Sequence, residues 1–371
     1  MLQTLLRIRL DDLWSTEPID GTAAIGVGWL LVAWFVVGLM WVAWHWKSLS
    51  WNADTRSALS FWGVVAVFLG CARVWLWFLS MAVPTPQGIP VYGYGFMLFL
   101  GFLAAGWTAG RRAESVRISR EVVWDVGMWL FVAGIIGARL FYVIQYRDRV
   151  FLKQVDGELV PRQGLELVRA IVNLPDGGLV FYGSVITGIL AFALFCRVKQ
   201  VNPLRLADVI IPSAFIGLAF GRVGCFLNGC CYGDRCELPW GVEFPQGSVP
   251  FQVLVDRGFL SVDAAATFAL HPTQLYSTLN ALILALLTHA YFRYRHRDGA
   301  VLAVGWIAYP ITRFVIEYLR GDELGRFGTT LTISQWMSLA LFASGLAFAA
   351  WLNTRPRGEV FPALAPPPRF T

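Results

Sequence analysis

The sequence predicts an all-α polytopic membrane protein, and three observations carry that prediction. Of its 371 residues, 57% are hydrophobic, 15% aromatic and only 15% charged, where a soluble domain carries about a quarter charged residues. The apolar residues gather in runs near the ~20 residues that a helix needs to cross a hydrocarbon core of about 30 Å, and mean hydropathy is +0.58. Lys and Arg collect in short segments between these runs, which is a topology signal. The formal charge of +6 and pI of about 9.1 therefore do not mark a nucleic-acid surface, and no basic stripe with interleaved aromatics is present. No cleavable signal peptide is expected, because the first apolar run is a full-length span with no small-residue cleavage site after it. No repeat of 20 to 50 residues stands out.

Taken in order, residues 1–22 alternate apolar with charged side chains and read as a terminal segment, in the form of an interfacial helix. Trp-rich spans follow at 23–44 and 58–83, then a Pro/Gly loop at 84–91. Further spans are expected at 92–110, 122–144, 177–195, 206–227, 271–292, 300–319 and 331–352. Pro212 predicts a kink in its span, tolerated where neighbouring helices cover the freed backbone. Hydrophilic loops separate the spans at 145–176 and 228–270, and a proline-rich tail occupies 353–371. The organisation expected is thus an N-terminal extension, 1–91, with two of about nine spans, then a seven-helix core, 92–352, and the tail. Alternating the sides brings Lys47/Arg56, Arg111–Arg120, Arg197/Lys199, Arg293–Arg297 and Arg355/Arg357 to one face. The positive-inside rule makes that face the cytoplasm, with the N-terminus outside and the C-terminus inside.

That topology gathers the polar residues which apolar helices should not carry. Tyr94, Arg139, Tyr182, Arg222, Asn228, His271, Gln274, Arg313, Glu317 and Arg320 all fall in the outer third of the membrane by counting along their spans. An Arg at bilayer depth costs at least ~2.5 kcal/mol on insertion scales, so such residues face a protein interior or a wet cavity. Arg139, Arg222, Arg313 and Arg320 outnumber the single acid Glu317, which stands i,i+4 from Arg313. The expected site is net positive, and the planar guanidinium fork suits phosphate. A phospholipid headgroup is the natural anion at that depth. The plainer readings are an Arg snorkelling from a helix end, and Asn228 and Gln274 as polar glue between helices.

The stretch Gly221–Gly233, GRVGCFLNGCCYG, together with GGLVFYGSVITG before it and HPTQLY and YPITRFVIEYLR after it, resembles the phosphatidylglycerol–prolipoprotein diacylglyceryl transferase family. The resemblance covers roughly residues 91–352, with several separate motifs in family order. It implies an enzyme of the bacterial cytoplasmic (inner) membrane whose site opens to the outer leaflet. Its partners would be phosphatidylglycerol, the bilayer and preprolipoprotein signal peptides with a lipobox cysteine, without nucleic acid, metal or soluble cofactor. The diacylglyceryl group would pass to the cysteine thiol and glycerol phosphate would leave, the first step of lipoprotein maturation. The resemblance implies roles for Tyr94, Arg222, Asn228, Gly233, Tyr309, Arg313, Glu317 and Arg320, and places Arg139 and Gln274 on family motifs. Arg222 and Arg313 are expected at the phosphate, with Glu317 orienting Arg313 and Tyr94 and Tyr309 at the headgroup.

The chain departs from well-known members at Tyr182, where they carry His, at Cys225, where they carry Asn, and at Cys230, where they carry Glu. The base that takes the thiol proton is then Tyr182, Glu317 or water, while His271 reads as a structural helix-start residue. The six cysteines include four within twelve residues: Cys225, Cys230, Cys231 and Cys236. Three readings are open: a bridge from Cys230 or Cys231 to Cys236, a four-thiolate metal site, which lacks the usual C-x2-C knuckles, or packed free thiols. The competing functions are a thiol–disulfide membrane oxidoreductase, suggested by these cysteines, and a lipid-binding paralogue without activity, suggested by the three departures.

Overall fold

The computed structural model describes residues 4–9, 14–19, 22–45, 62–65, 67, 71, 89–155, 158–172, 178, 180–320 and 328–355. In chain order these form β1 (Thr4–Arg9), β2 (Ala24–Gly26), α1 (Val27–His45), β3 (Ile89–Tyr92), α2 (Gly93–Glu114) and α3 (Arg120–Gln145). A short α4 (Arg147–Phe151), a hairpin of β4 (Leu152–Val155) and β5 (Glu158–Pro161), and α5 (Gly164–Val172) come next. The remainder is helical: α6 (Phe181–Val198), α7 (Pro203–Asn228), α8 (Val249–Asp256), α9 (Thr273–Phe292), α10 (Ala300–Glu317) and α11 (Ile333–Thr354).

Six helices, α2, α3, α7, α9, α10 and α11, are long and apolar enough to cross a membrane, and α1 and α6 contain the shorter apolar stretches Val27–Met40 and Tyr182–Val198. A helix satisfies its own backbone polar groups, which lipid cannot do. The chain is an all-α polytopic membrane protein. The span expected at 58–83 and the tail after residue 355 lie almost wholly outside the described residues.

Two compact units make up the chain. The first comprises Met1–Phe99 and Gly221–Gln274, the second Leu100–Phe220 and Leu275–Thr371. In the first, the interfacial helix expected for residues 1–22 is corrected to strand structure. β1 lies between β2, to which it runs parallel, and β3, to which it runs antiparallel. The alternation of apolar and charged residues there is the period-two pattern of a strand, not a helical one. The expected hydrophilic loop 228–270 is folded around Tyr232, Phe244, Leu254 and Leu270, all buried. Its helix α8 starts where Ser248 accepts the Phe251 N–H and Pro250 sets the first turn.

In the second unit α3 packs along α6 and α10 along α11. A Cβ on Gly137 would collide with the Thr187 side chain and the Gly183 carbonyl, so small residues set this close α3–α6 crossing. Ser184 and Thr187 hydroxyls cross it too, donating to the carbonyls of Gly134 (2.9 Å) and Ala133 (2.8 Å). α7 runs through Pro212. Beside that proline the buried Arg112 donates to the Val209 carbonyl (2.7 Å) and Ser213 Oγ (3.0 Å), support from a neighbouring helix of the kind that lets a span carry a proline. Asp208, fully buried, accepts the N–H groups of Gly299 (2.7 Å) and Leu302 (2.9 Å) and so caps α10. That helix starts at Gly299 with φ 93°, a residue with no side chain to cap it.

Candidate active site

In the first unit the site is built on the end of α7. The helix stops because Gly229 takes the left-handed conformation, φ 79°. The Cys230 N–H then returns to the Cys225 carbonyl (3.1 Å) and the Gly229 N–H to that of Phe226 (3.2 Å). This is the six-to-one, five-to-two pairing of a Schellman ending. Cys231 continues in the left-handed region at φ 61°, which costs an L residue roughly 1–2 kcal/mol. Two buried side chains at the start of α9 hold it there. The Thr273 hydroxyl donates to the Cys231 carbonyl (2.6 Å) and Gln274 Nε2 to the Cys230 carbonyl (2.8 Å).

Gln274 is fully buried, so its place in the HPTQLY motif is to clamp the turn after Asn228. Gly233 is buried beside it and donates its N–H to the His271 carbonyl (2.8 Å). His271 returns its own N–H to Asp234 (2.9 Å), which gives that residue a backbone role at the helix start. Tyr94, 40% exposed on the first turn of α2, shares its surroundings with Arg222 and the thiols of Cys225, Cys230 and Cys231. Gly224 permits this, since a Cβ there would stand 3.1 Å from the Tyr94 ring and 3.3 Å from its Cα. Asn228 faces the Cys230 thiol.

The bridge considered between Cys230 or Cys231 and Cys236 is not formed. None of the six cysteines is in a disulfide. The sulfurs of Cys225, Cys230 and Cys231 converge within 4.8 Å of one another, and Cys236 stands apart from that group. The left-handed turn at Gly229 and Cys231 aims the two loop thiols back at the helix.

In the second unit Glu317 ends α10 with a fully buried carboxylate. Its Oε2 pairs with Arg313 one turn back and with Arg320 at 3.4 Å, and both guanidiniums are largely buried. Its Oε1 accepts the Thr332 hydroxyl (3.0 Å). Thr332 is also the N-cap of α11, where it and Gln335 form a capping box. Two arginines on one acid leave this cluster one positive charge in excess, rigidly held. Tyr309 sits two turns earlier on α10, its ring centroid 6.1 Å from that of Phe215.

Arg139 and Tyr182 lie elsewhere in that unit. Arg139 donates to the carbonyls of Ala170 (2.7 Å), Ile171 (2.7 Å) and Gly178 (3.0 Å) and stands over the Tyr142 ring. It thereby ties the end of α5 to α3. Tyr182 is 47% exposed on the first turn of α6. The Val180 N–H just before it reaches the Ala138 carbonyl (3.1 Å), one residue from Arg139.

Comparison with known proteins gives these clusters a context. Residues 80–351 match the family described as Prolipoprotein diacylglyceryl transferase. The chain belongs to this diacylglyceryl transferase family. A phosphatidylglycerol–prolipoprotein diacylglyceryl transferase of Rhodopirellula baltica is 28% identical over 92% of this chain and 89% of its own length. Proteins of the same name from Clostridium tetani and Gloeobacter violaceus are 32% and 31% identical over 70% and 72% of this chain. The matched region of the diacylglyceryl transferase family contains every candidate residue named above.

The residues that sequence reasoning passed over are the ones that hold the others. Thr332 was readable, since T-x-x-Q before an apolar run is a capping box. Its bond to Glu317 was not, because fifteen residues separate them. Nor does any local pattern tie Thr273 to Cys231.

Proposed function

We propose that this membrane protein is a phosphatidylglycerol–prolipoprotein diacylglyceryl transferase, the activity for which its relatives are named. The observation that carries the reading is membership of that family over residues 80–351. The buried Arg313–Glu317–Arg320 cluster supports it, as a fixed positive charge is what an anionic lipid phosphate needs. In this reading residues 92–352 are the transferase core, residues 1–91 an N-terminal extension and 353–371 a cytoplasmic tail. The N-terminus is outside and the site faces the outer leaflet.

The lipobox thiolate attacks the glycerol carbon that bears the phosphate ester. The carbon–sulfur bond forms as the carbon–oxygen bond breaks, and glycerol phosphate departs with the electron pair. Arg222 and Arg313 meet the charge that builds on the leaving phosphate, with Glu317 orienting Arg313 and holding Arg320 beside it. Preorganised donors of this kind are often the largest catalytic contribution. Tyr94, Asn228 and Tyr309 hold the headgroup. Gly233 and Gln274 shape the turn that carries Asn228, and Arg139 braces the segment before Tyr182. The thiol proton goes to Tyr182, Glu317 or water.

The test uses purified protein in detergent with phosphatidylglycerol and a lipobox peptide, following glycerol phosphate and peptide mass. A diacylglyceryl mass gain is expected from the wild type. It should fall at least ~100-fold in Arg313→Gln and in Arg222→Gln, the scale of losing an oxyanion donor. Bound phosphatidylglycerol with no mass gain would favour a lipid-binding paralogue instead.

A further inference from the structure

We propose that Cys225, Cys230 and Cys231 form a binding site for one soft d10 metal ion, of which Cu(I) is the best match. The transferase reading does not need this site, and the site does not need that reading.

Geometry makes the case. Three thiolates at about 2.3 Å from one ion in a trigonal plane stand roughly 4.0 Å apart. The three sulfurs already lie within 4.8 Å of one another, so small side-chain rotations close the site. Two of them sit on the turn that carries a left-handed, non-glycine Cys231, a conformation an L residue keeps only where its surroundings impose it. Thr273 and Gln274, 1% and 0% exposed, hold the carbonyls of Cys231 and Cys230 and so fix the aim of both thiols.

The ligand count selects the ion. Zinc in a structural site takes four ligands. Among the described residues no fourth His, Cys, Asp or Glu joins this group. Thiolates select Cu(I) among the softer ions, and three of them satisfy it. Each thiol that binds gives its proton to solvent as its sulfur–copper bond forms, and the ion keeps its oxidation state.

The experiment titrates the purified full chain with Cu(I) under anaerobic conditions, against a competing Cu(I) chelator, and maps thiol alkylation before and after. The proposal expects one equivalent bound, an ultraviolet sulfur-to-copper charge-transfer band, and protection of Cys225, Cys230 and Cys231 but not Cys236. Cys230→Ser should weaken binding at least ~100-fold, while Cys236→Ser should leave it unchanged. Alkylation of the wild type gives the answer without a variant, should Cys230→Ser not fold. Three outcomes would overturn the proposal: no competition with the chelator, protection that follows Cys236 or Cys196 instead, or a Cys225–Cys230 disulfide in the chain as purified. Tight retention of Zn(II) that Cu(I) cannot displace would overturn the choice of ion.

Discussion

Glu317 is the residue on which the second cluster depends. Its carboxylate is fully buried and serves Arg313, Arg320 and Thr332 at once. Glu317→Gln keeps the shape but removes the carboxylate that both buried guanidiniums pair with. Breaking a buried pair this way costs about 3–5 kcal/mol. The variant should therefore unfold at a markedly lower temperature in detergent as well as lose transfer. An unchanged unfolding temperature with lost transfer would make Glu317 a proton acceptor rather than an anchor. Tyr182 allows a sharper test. A phenol titrates near ~10, an imidazole near ~6.5. If Tyr182 occupies the position of the base, Tyr182→His should keep or raise transfer at neutral pH. Its rate should then rise with pH through about 6.5, because only neutral imidazole accepts a proton. A pH profile identical to that of the wild type would remove residue 182 from the proton path.

At the scale of elements, helix ends do much of the positioning. α11 begins at Thr332, whose hydroxyl accepts the Gln335 N–H while donating to Glu317. Thr332→Ala removes the cap, worth about 1 kcal/mol, and one of the carboxylate's partners. It should lower both stability and transfer, and Thr332→Ser should restore both. Restored stability without restored transfer would separate the cap from the active cluster. The ends of α7 and α9 are coupled in the same manner, through Thr273 and Gln274 to the Cys231 and Cys230 carbonyls. The helices themselves were legible, since their apolar runs have the length that lipid demands. Their partners were not, because capping chemistry is local and the bonds that exploit it are long-range.

At the scale of the molecule, the N-terminal strands matter more than a separate extension would suggest. β1 pairs with β3, and β3 runs directly into α2, whose first turn carries Tyr94. Removing residues 1–26 takes away β1 and β2 and leaves β3 without its partner. The truncated chain should still insert, because none of the six longest apolar helices is cut. Its KM for phosphatidylglycerol should rise several-fold, since Tyr94 loses its anchor, with a smaller change in kcat. Full activity after truncation would make those strands dispensable.

The sequence by itself determined the membrane class, the positions of the long helices and the family. Each rests on composition, run length or motifs that read along the chain. It also marked the residues that apolar helices ought not to carry. Tertiary structure decided which groups each of these meets. Arg139 resembles Arg313 in sequence, yet it is engaged by three backbone carbonyls, whereas Arg313 is held by a buried acid. The cysteines show the same division. Spacing left a bridge, a metal site and packed thiols all open, and the left-handed turn after α7 turned three sulfurs together and kept Cys236 apart. The reason is physical: burial and pattern act through neighbours in sequence, while the pairing of a charge or a thiol is set by where the backbone turns.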